Sequence, residues 1–260
     1  MTSSDTPLPG TLASAGSNSE LAVGFGGGEV VRNKLLGNGD LNGGAIDGTV
    51  NVNWGAPWEL DPNVSVATQN SGNFDFFAAI FHELTHALGF ASSMAENGTD
   101  GWVTNPGNLQ GGTDVPGSWA KFDQFRTDCN GNSLIDQGTF LTNQATHASA
   151  KTSAVCFDGA NAVAANGGNA VHIYSPNPYE PGSSGSHLDG GPGNFPMAMM
   201  KFDRDDNVDE ARTYNAVEIG ILTDLGYTRV ASNPNLIPEP GSVALMLAGL
   251  AGLGLRRRKA

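Results

Sequence analysis

The pentapeptide His82-Glu83-Leu84-Thr85-His86 constrains this chain more than any other stretch. It lies within a segment, Asn73 to Phe90, whose apolar residues Phe77, Ile80, Phe81, Leu84 and Leu88 recur at helical spacing and predict one buried stripe. Asn73 is the expected cap, Asp75 suits the first turn, and Gly89 stands where helices commonly stop. Two histidines four residues apart project from one helix face, so a single metal ion can take both. Glu83 is placed to reach a water on that metal rather than the metal itself. Zinc held by neutral imidazoles brings the pKa of its water to about 7. A carboxylate alongside takes the proton as the water attacks a carbonyl, then passes it to the leaving amine. The plainer reading, two surface histidines on a helix, sits poorly with the apolar flanks of the segment.

A catalytic zinc takes three protein ligands and keeps one open position. The remaining histidines are His147, His172 and His187. His187 has the most suggestive context, Pro181-Gly182-Ser183-Ser184-Gly185-Ser186-His187-Leu188-Asp189, because a glycine-serine loop brings backbone close to a helix face. Asp189 is then a candidate to orient the ligand imidazole. Glu218, in a predicted last helix from about Tyr214 to Leu225, is the rival third ligand.

The run from His82 to Phe90 resembles the zinc helix of metzincin-type metallopeptidases. The short form of that motif has its third histidine three residues after the glycine, where this chain has Ser92. Leishmanolysin-like members instead carry a long insertion before the third histidine, and this chain is similar to them and to their bacterial secreted relatives. The resemblance makes residues 91–186 the insertion and His187 the closing ligand. It also extends to the closing Leu222-Thr223-Asp224-Leu225-Gly226-Tyr227. It implies an α+β zincin-like fold, with a small twisted sheet beside the zinc helix, and one catalytic Zn2+. It implies a methionine turn beneath the metal within Pro196-Met197-Ala198-Met199-Met200, with Met199 the preferred residue. The strand before the zinc helix, Thr49 to Trp54, would border the cleft and pair with substrate backbone. Relatives begin with a further strand and helix that are missing here, so an incomplete start is expected.

The C-terminal end carries a second signal. Pro238-Glu239-Pro240 is followed by an uncharged run, Gly241 to Leu255, and then by Arg256-Arg257-Arg258-Lys259. The run is shorter than the ~20 residues of a full membrane span. The basic cluster would stay cytoplasmic and leave the bulk of the chain outside. This order of features resembles a PEP-CTERM sorting signal, which implies export in a Gram-negative bacterium, transient membrane anchoring and recognition by an exosortase. A signal peptide is then expected, but Met1 to Gly10 has no apolar core for one.

The expected organisation is residues 1–20 as a linker or the incomplete start of a domain, 21–230 as the metallopeptidase domain, 231–237 as a linker, and 238–260 as the sorting signal. The net charge of −13, with four of the 13 basic residues in the last five positions, argues against a nucleic-acid partner. Cys129 and Cys156 are equally compatible with a disulfide and with two free thiols. Asp128, Asn130, Asn132 and Asp136 resemble part of a calcium loop, but Thr139 stands where an EF-hand places glutamate, so a polar turn is preferred and Ca2+ is the weaker reading. The acidic run Asp203, Asp205, Asp206 and Asp209 reads as a solvated loop. The expected function is an exported zinc metalloendopeptidase with a protein or peptide substrate. The alternatives are a surface or matrix binding protein on the same scaffold and a zinc hydrolase of a non-peptide substrate. Glu83 favours an enzyme, since a scaffold that only binds does not need that carboxylate.

Overall fold

The structure is a computed structural model that describes residues 11–20, 23–25, 29–60, 72–94, 117–135, 155–176, 178–191, 195, 197–203 and 211–229. The chain divides into two units, Met1–Tyr227 and Thr228–Ala260, three residues earlier than the expected boundary at 230. The expected linker at 231–237 and the tail at 238–260 lie outside the described residues.

The first unit mixes helices with short strands. β1 (Ala13–Ser17) pairs antiparallel with β3 (Gly48–Val52), in a register from Ala13 opposite Val52 to Ser17 opposite Gly48. Residues 13–17 are therefore sheet, within the stretch expected to be a linker or the incomplete start of a domain. Small residues (Ala-Ser-Ala-Gly-Ser) hide the strand from a hydrophobicity pattern, because none of them alternates strongly. β2 (Gly24–Phe25) runs parallel to β6 (Ser118–Trp119), and β4 (Trp58–Glu59) runs parallel to β5 (Phe74–Asp75). β7 (Arg126–Thr127), β8 (Cys156–Phe157) and β9 (Val171–His172) form the largest sheet, three antiparallel strands. Strand thus occurs as four small sheets among the described residues, in a mixed α/β arrangement.

The helices are α1 (Val30–Leu35), α2 (Phe76–Ala87), α3 (Ala160–Ala165) and α4 (Ala216–Asp224), with a 3-10 turn at Lys121–Phe125. α2 is capped by Asp75, not by Asn73. The Asp75 carboxylate accepts the Ala78 N–H at 3.0 Å and the Arg212 Nε–H at 2.7 Å, both inside the protein. The predicted stripe of large residues is also corrected. Leu84 is 42% exposed, whereas Ala78, Ala79, His82, Thr85 and Ala87 are buried. Small residues face inward because neighbours pack close on α2, β1 chief among them.

The core is supplied mainly by the predicted insertion. Phe90, Trp119, Phe122, Leu134, Val155, Phe157, Val171 and Ile173 pack with Met199, Met200, Ile221 and Leu225. A Cys129–Cys156 disulfide staples this region, joining the end of β7 to β8 with the Cα atoms 4.9 Å apart. Closing a loop of 27 residues removes unfolded-state entropy worth roughly 3–4 kcal/mol. The Cys129→Ser, Cys156→Ser double variant should lose about that much stability in urea unfolding, and an unchanged midpoint would deny the disulfide any such role.

The far end of α2 is held from two sides. Gly89 adopts φ +99 and ends the helix. The Glu29 carboxylate packs against it, paired with Arg32 at 2.8 Å, and burial pushes that carboxyl above its usual range. The Tyr227 hydroxyl donates to the Leu88 carbonyl at 2.8 Å, so the closing Leu-Gly-Tyr sequence caps the helix.

Candidate metal centre

His82, His86 and His187 converge, and all three pairs of Nε2 atoms are 3.1 Å apart. His82 and His187 are buried, each 5% exposed, and His86 is half-buried. Each ring is fixed through its other nitrogen. His82 Nδ1–H donates to the Met199 carbonyl at 2.7 Å, His86 Nδ1–H to the Phe90 carbonyl at 2.8 Å, and His187 Nδ1–H to the Ser183 carbonyl at 2.7 Å. A carbonyl only accepts, so every Nδ1 carries the proton and every neutral ring turns an Nε2 lone pair to the same point. Three lone pairs at this distance repel one another unless a cation lies between them. Zinc–nitrogen bonds of about 2.0–2.1 Å in a tetrahedron set ligand nitrogens about 3.3 Å apart, close to the observed spacing. The donor set therefore fits a zinc ion, which His82, His86 and His187 could hold.

Sequence separation is overcome by backbone. Gly89 turns the chain so that the Phe90 carbonyl reaches back to His86. The His187 loop is pinned to the extension of β9, where Tyr174 N–H donates to the His187 carbonyl and Gly185 N–H to the Tyr174 carbonyl, both at 2.8 Å. On its other side Leu188 N–H donates to the Met200 carbonyl at 2.8 Å, which ties the loop to the turn around Met200. Ser92, at the position of the third histidine in the short motif, links the two halves of the site instead. Its N–H donates to Ser186 Oγ at 3.1 Å, its hydroxyl donates to Asp123 at 2.6 Å, and Arg126 Nη1 donates to the same hydroxyl oxygen at 2.7 Å.

The expected supporting residues divide. Met199 is fully buried and gives its carbonyl to His82, while Met197 is 59% exposed. Asp189 does not orient His187. The Ser183 carbonyl holds that Nδ1–H, and Asp189 Oδ1 accepts the Gly191 N–H at 3.0 Å. Glu218 is not a ligand. Its carboxylate, 0% exposed, accepts the Met200 N–H at 2.6 Å and the Asn215 N–H at 2.8 Å, while Asn215 caps α4 in return. Glu218 therefore fastens the turn around Met200 to the start of α4. Glu218→Gln, which sets an amide N–H₂ toward a backbone donor, should lower stability by about 2–3 kcal/mol. Urea unfolding checks this, and a variant as stable as the parent would remove the role.

Asp128 forms the preferred polar turn, its Oδ1 accepting the N–H groups of Asn130 and Asn132 and its Oδ2 accepting Asn132 Nδ2–H. Asp136, Thr139, His147, Asp205, Asp206 and Asp209 lie outside the described residues. A second grouping, Cys129, Cys156 and His172, brings three ligand-type side chains together, with its two sulfurs joined to each other.

The histidines open onto a cleft of about 1160 Å³. Ala79, His82, Glu83 and His86 line it along one face of α2, between Phe74 at one end and Ala91 at the other. β1 and its flanking residues also line it, every residue from Thr11 to Asn18 touching the cleft. Side chains of a strand alternate, so an unbroken run of lining residues means that the strand's backbone edge faces the space. β3 contributes only alternate residues, Thr49 and Asn51, followed by Asn53 just past its end. The strand beside the helix is thus β1, correcting the assignment of that place to Thr49–Trp54. Among the described residues β1 has a partner strand on one edge only. No sequence pattern pointed to β1, or to the three carbonyls that hold the imidazoles, since backbone atoms leave no trace in residue type.

A PEP-CTERM protein-sorting motif matches residues 236–259. The chain is therefore an exported protein sorted to the cell surface of a Gram-negative bacterium, with an exosortase as its sorting partner. No curated protein and no solved structure matches the chain.

Proposed function

We propose that the chain is a zinc-dependent metalloendopeptidase of leishmanolysin-like, metzincin type, acting outside the cell. The observation that carries this reading is the convergence of three Nδ1-protonated imidazoles beside Glu83 in one cleft. Zinc, when bound, supplies a Lewis acid that acidifies a water and polarises the scissile carbonyl. Glu83 takes the water's proton as general base and delivers it to the departing amine as general acid. The three carbonyl-anchored histidines keep their Nε2 atoms unprotonated, which a metal ligand must be. β1 offers its open edge to an extended peptide, whose main chain would continue the sheet by β-augmentation. An unbranched chain with regularly spaced amides suits that wall better than a compact non-peptide substrate does.

The test is hydrolysis of an unfolded protein such as casein by the zinc-loaded chain, with and without a chelator. Cleavage abolished by chelation and restored by zinc is the expected result. A folded, zinc-loaded protein that leaves casein and a range of peptides intact would overturn the reading.

A further inference from the structure

An aromatic group lies at one end of the cleft and plays no part in holding the histidines. The Trp54 ring stacks on Phe76 at 5.6 Å, and the Trp58 ring meets Phe76 edge-on at 5.3 Å and Phe74 at 6.4 Å. Trp58 is fixed by its Nε1–H, which donates to the Asn53 carbonyl at 2.8 Å. Trp54 nevertheless remains 53% exposed. Of the group Phe74 lines the same cleft as the histidines, as do Asn53 and Ala56 from the segment that carries Trp54, so the group borders the cleft at that end. Large aromatic surface held rigid and left open to solvent is characteristic of a recognition site.

The geometry points to a subsite for an apolar, preferably aromatic, side chain of the peptide substrate, built by Trp54, Trp58, Phe74 and Phe76. This inference rests on the reading of the cleft as a peptide site. Its distance from the chemistry follows from the helix. Phe76 and Glu83 are seven positions apart on α2, a rise of about 10 Å. An extended peptide advances ~3.3 Å per residue, so the subsite falls about three residues from the cleaved bond. The occupant is a substrate side chain because Phe74 brings the group to the cleft wall and because β1, whose first residue Ala13 pairs with Val52 two positions before Trp54, aligns the peptide toward it.

The test is a ladder of ten-residue peptides, identical and glycine-serine rich apart from one Phe moved position by position. Binding is measured by calorimetry on the full-length, zinc-loaded Glu83→Gln protein, and cleavage on the parent protein. One Phe position should tighten binding about tenfold over the peptide without Phe. Adding Trp54→Ala should remove that gain, and Trp54→Phe should keep most of it, with circular dichroism confirming the fold of each. A ladder with no favoured position, or a gain that survives Trp54→Ala, overturns the subsite. The two readings fail separately. Position-dependent binding without cleavage by the parent keeps the subsite and removes the peptidase, whereas cleavage indifferent to Phe position does the reverse.

Discussion

If the proposed function holds, Glu83→Gln should keep its zinc and its fold and lose turnover by about 10²–10⁴-fold, the range associated with a positioned general base. Glutamine matches glutamate in shape, and Glu83 does not belong to the triad whose Nε2 atoms meet at 3.1 Å, so the metal centre should be undisturbed. What is lost is a group able to hold a proton between water and leaving amine. The measurement is kcat/KM on casein or a fluorogenic peptide, beside zinc content by atomic absorption. Full activity in this variant would sink the mechanism. Loss of zinc together with activity would reassign Glu83 to the metal centre.

His187→Ala should weaken zinc binding by more than about 100-fold, beyond the 10–100-fold typical of losing a group that only supports a ligand. It removes one of three nitrogens and leaves His82 and His86 with their lone pairs still held by the Met199 and Phe90 carbonyls. The same change should remove most of the thermal stabilisation that zinc gives the parent, because a ligand stabilises a protein in proportion to the logarithm of its concentration over Kd. Competition against a chromophoric chelator measures the first effect and thermal unfolding with and without zinc the second. Unchanged occupancy in His187→Ala would break the three-histidine assignment.

The histidine site was legible because its chemistry resides in residue type and spacing. His82 and His86 are fixed relative to each other by helical geometry alone, and a glycine-serine loop marked His187. What failed to show was carried by backbone or by small residues. β1 reads Ala-Ser-Ala-Gly-Ser and has no hydrophobic alternation, yet it forms the cleft wall. Asp189 was the natural candidate to hold His187 because carboxylates so often do, but the turn through Ser183 brings a carbonyl there first. Glu218 suited a ligand by type, and was excluded only by two N–H groups that long-range folding delivers to it. The large residues of α2 suggested a buried stripe, but its neighbours pack so close that alanines face inward with Thr85, which bonds Tyr214, and Leu84 does not.

The anchoring of each imidazole on a main-chain carbonyl has a consequence for how such a site drifts over generations. Phe90, Ser183 and Met199 hold the three rings through an atom that every amino acid possesses. Their side chains can be exchanged without altering which ring nitrogen carries hydrogen, provided the local path of the chain survives. Selection at these three positions would therefore act on loop shape, whereas residue type would be demanded of the three histidines, of Glu83 and of Gly89, whose positive φ sets the path to the Phe90 carbonyl. A comparison of descendants should find Phe90, Ser183 and Met199 freer in letter than those five, and hardly freer in course.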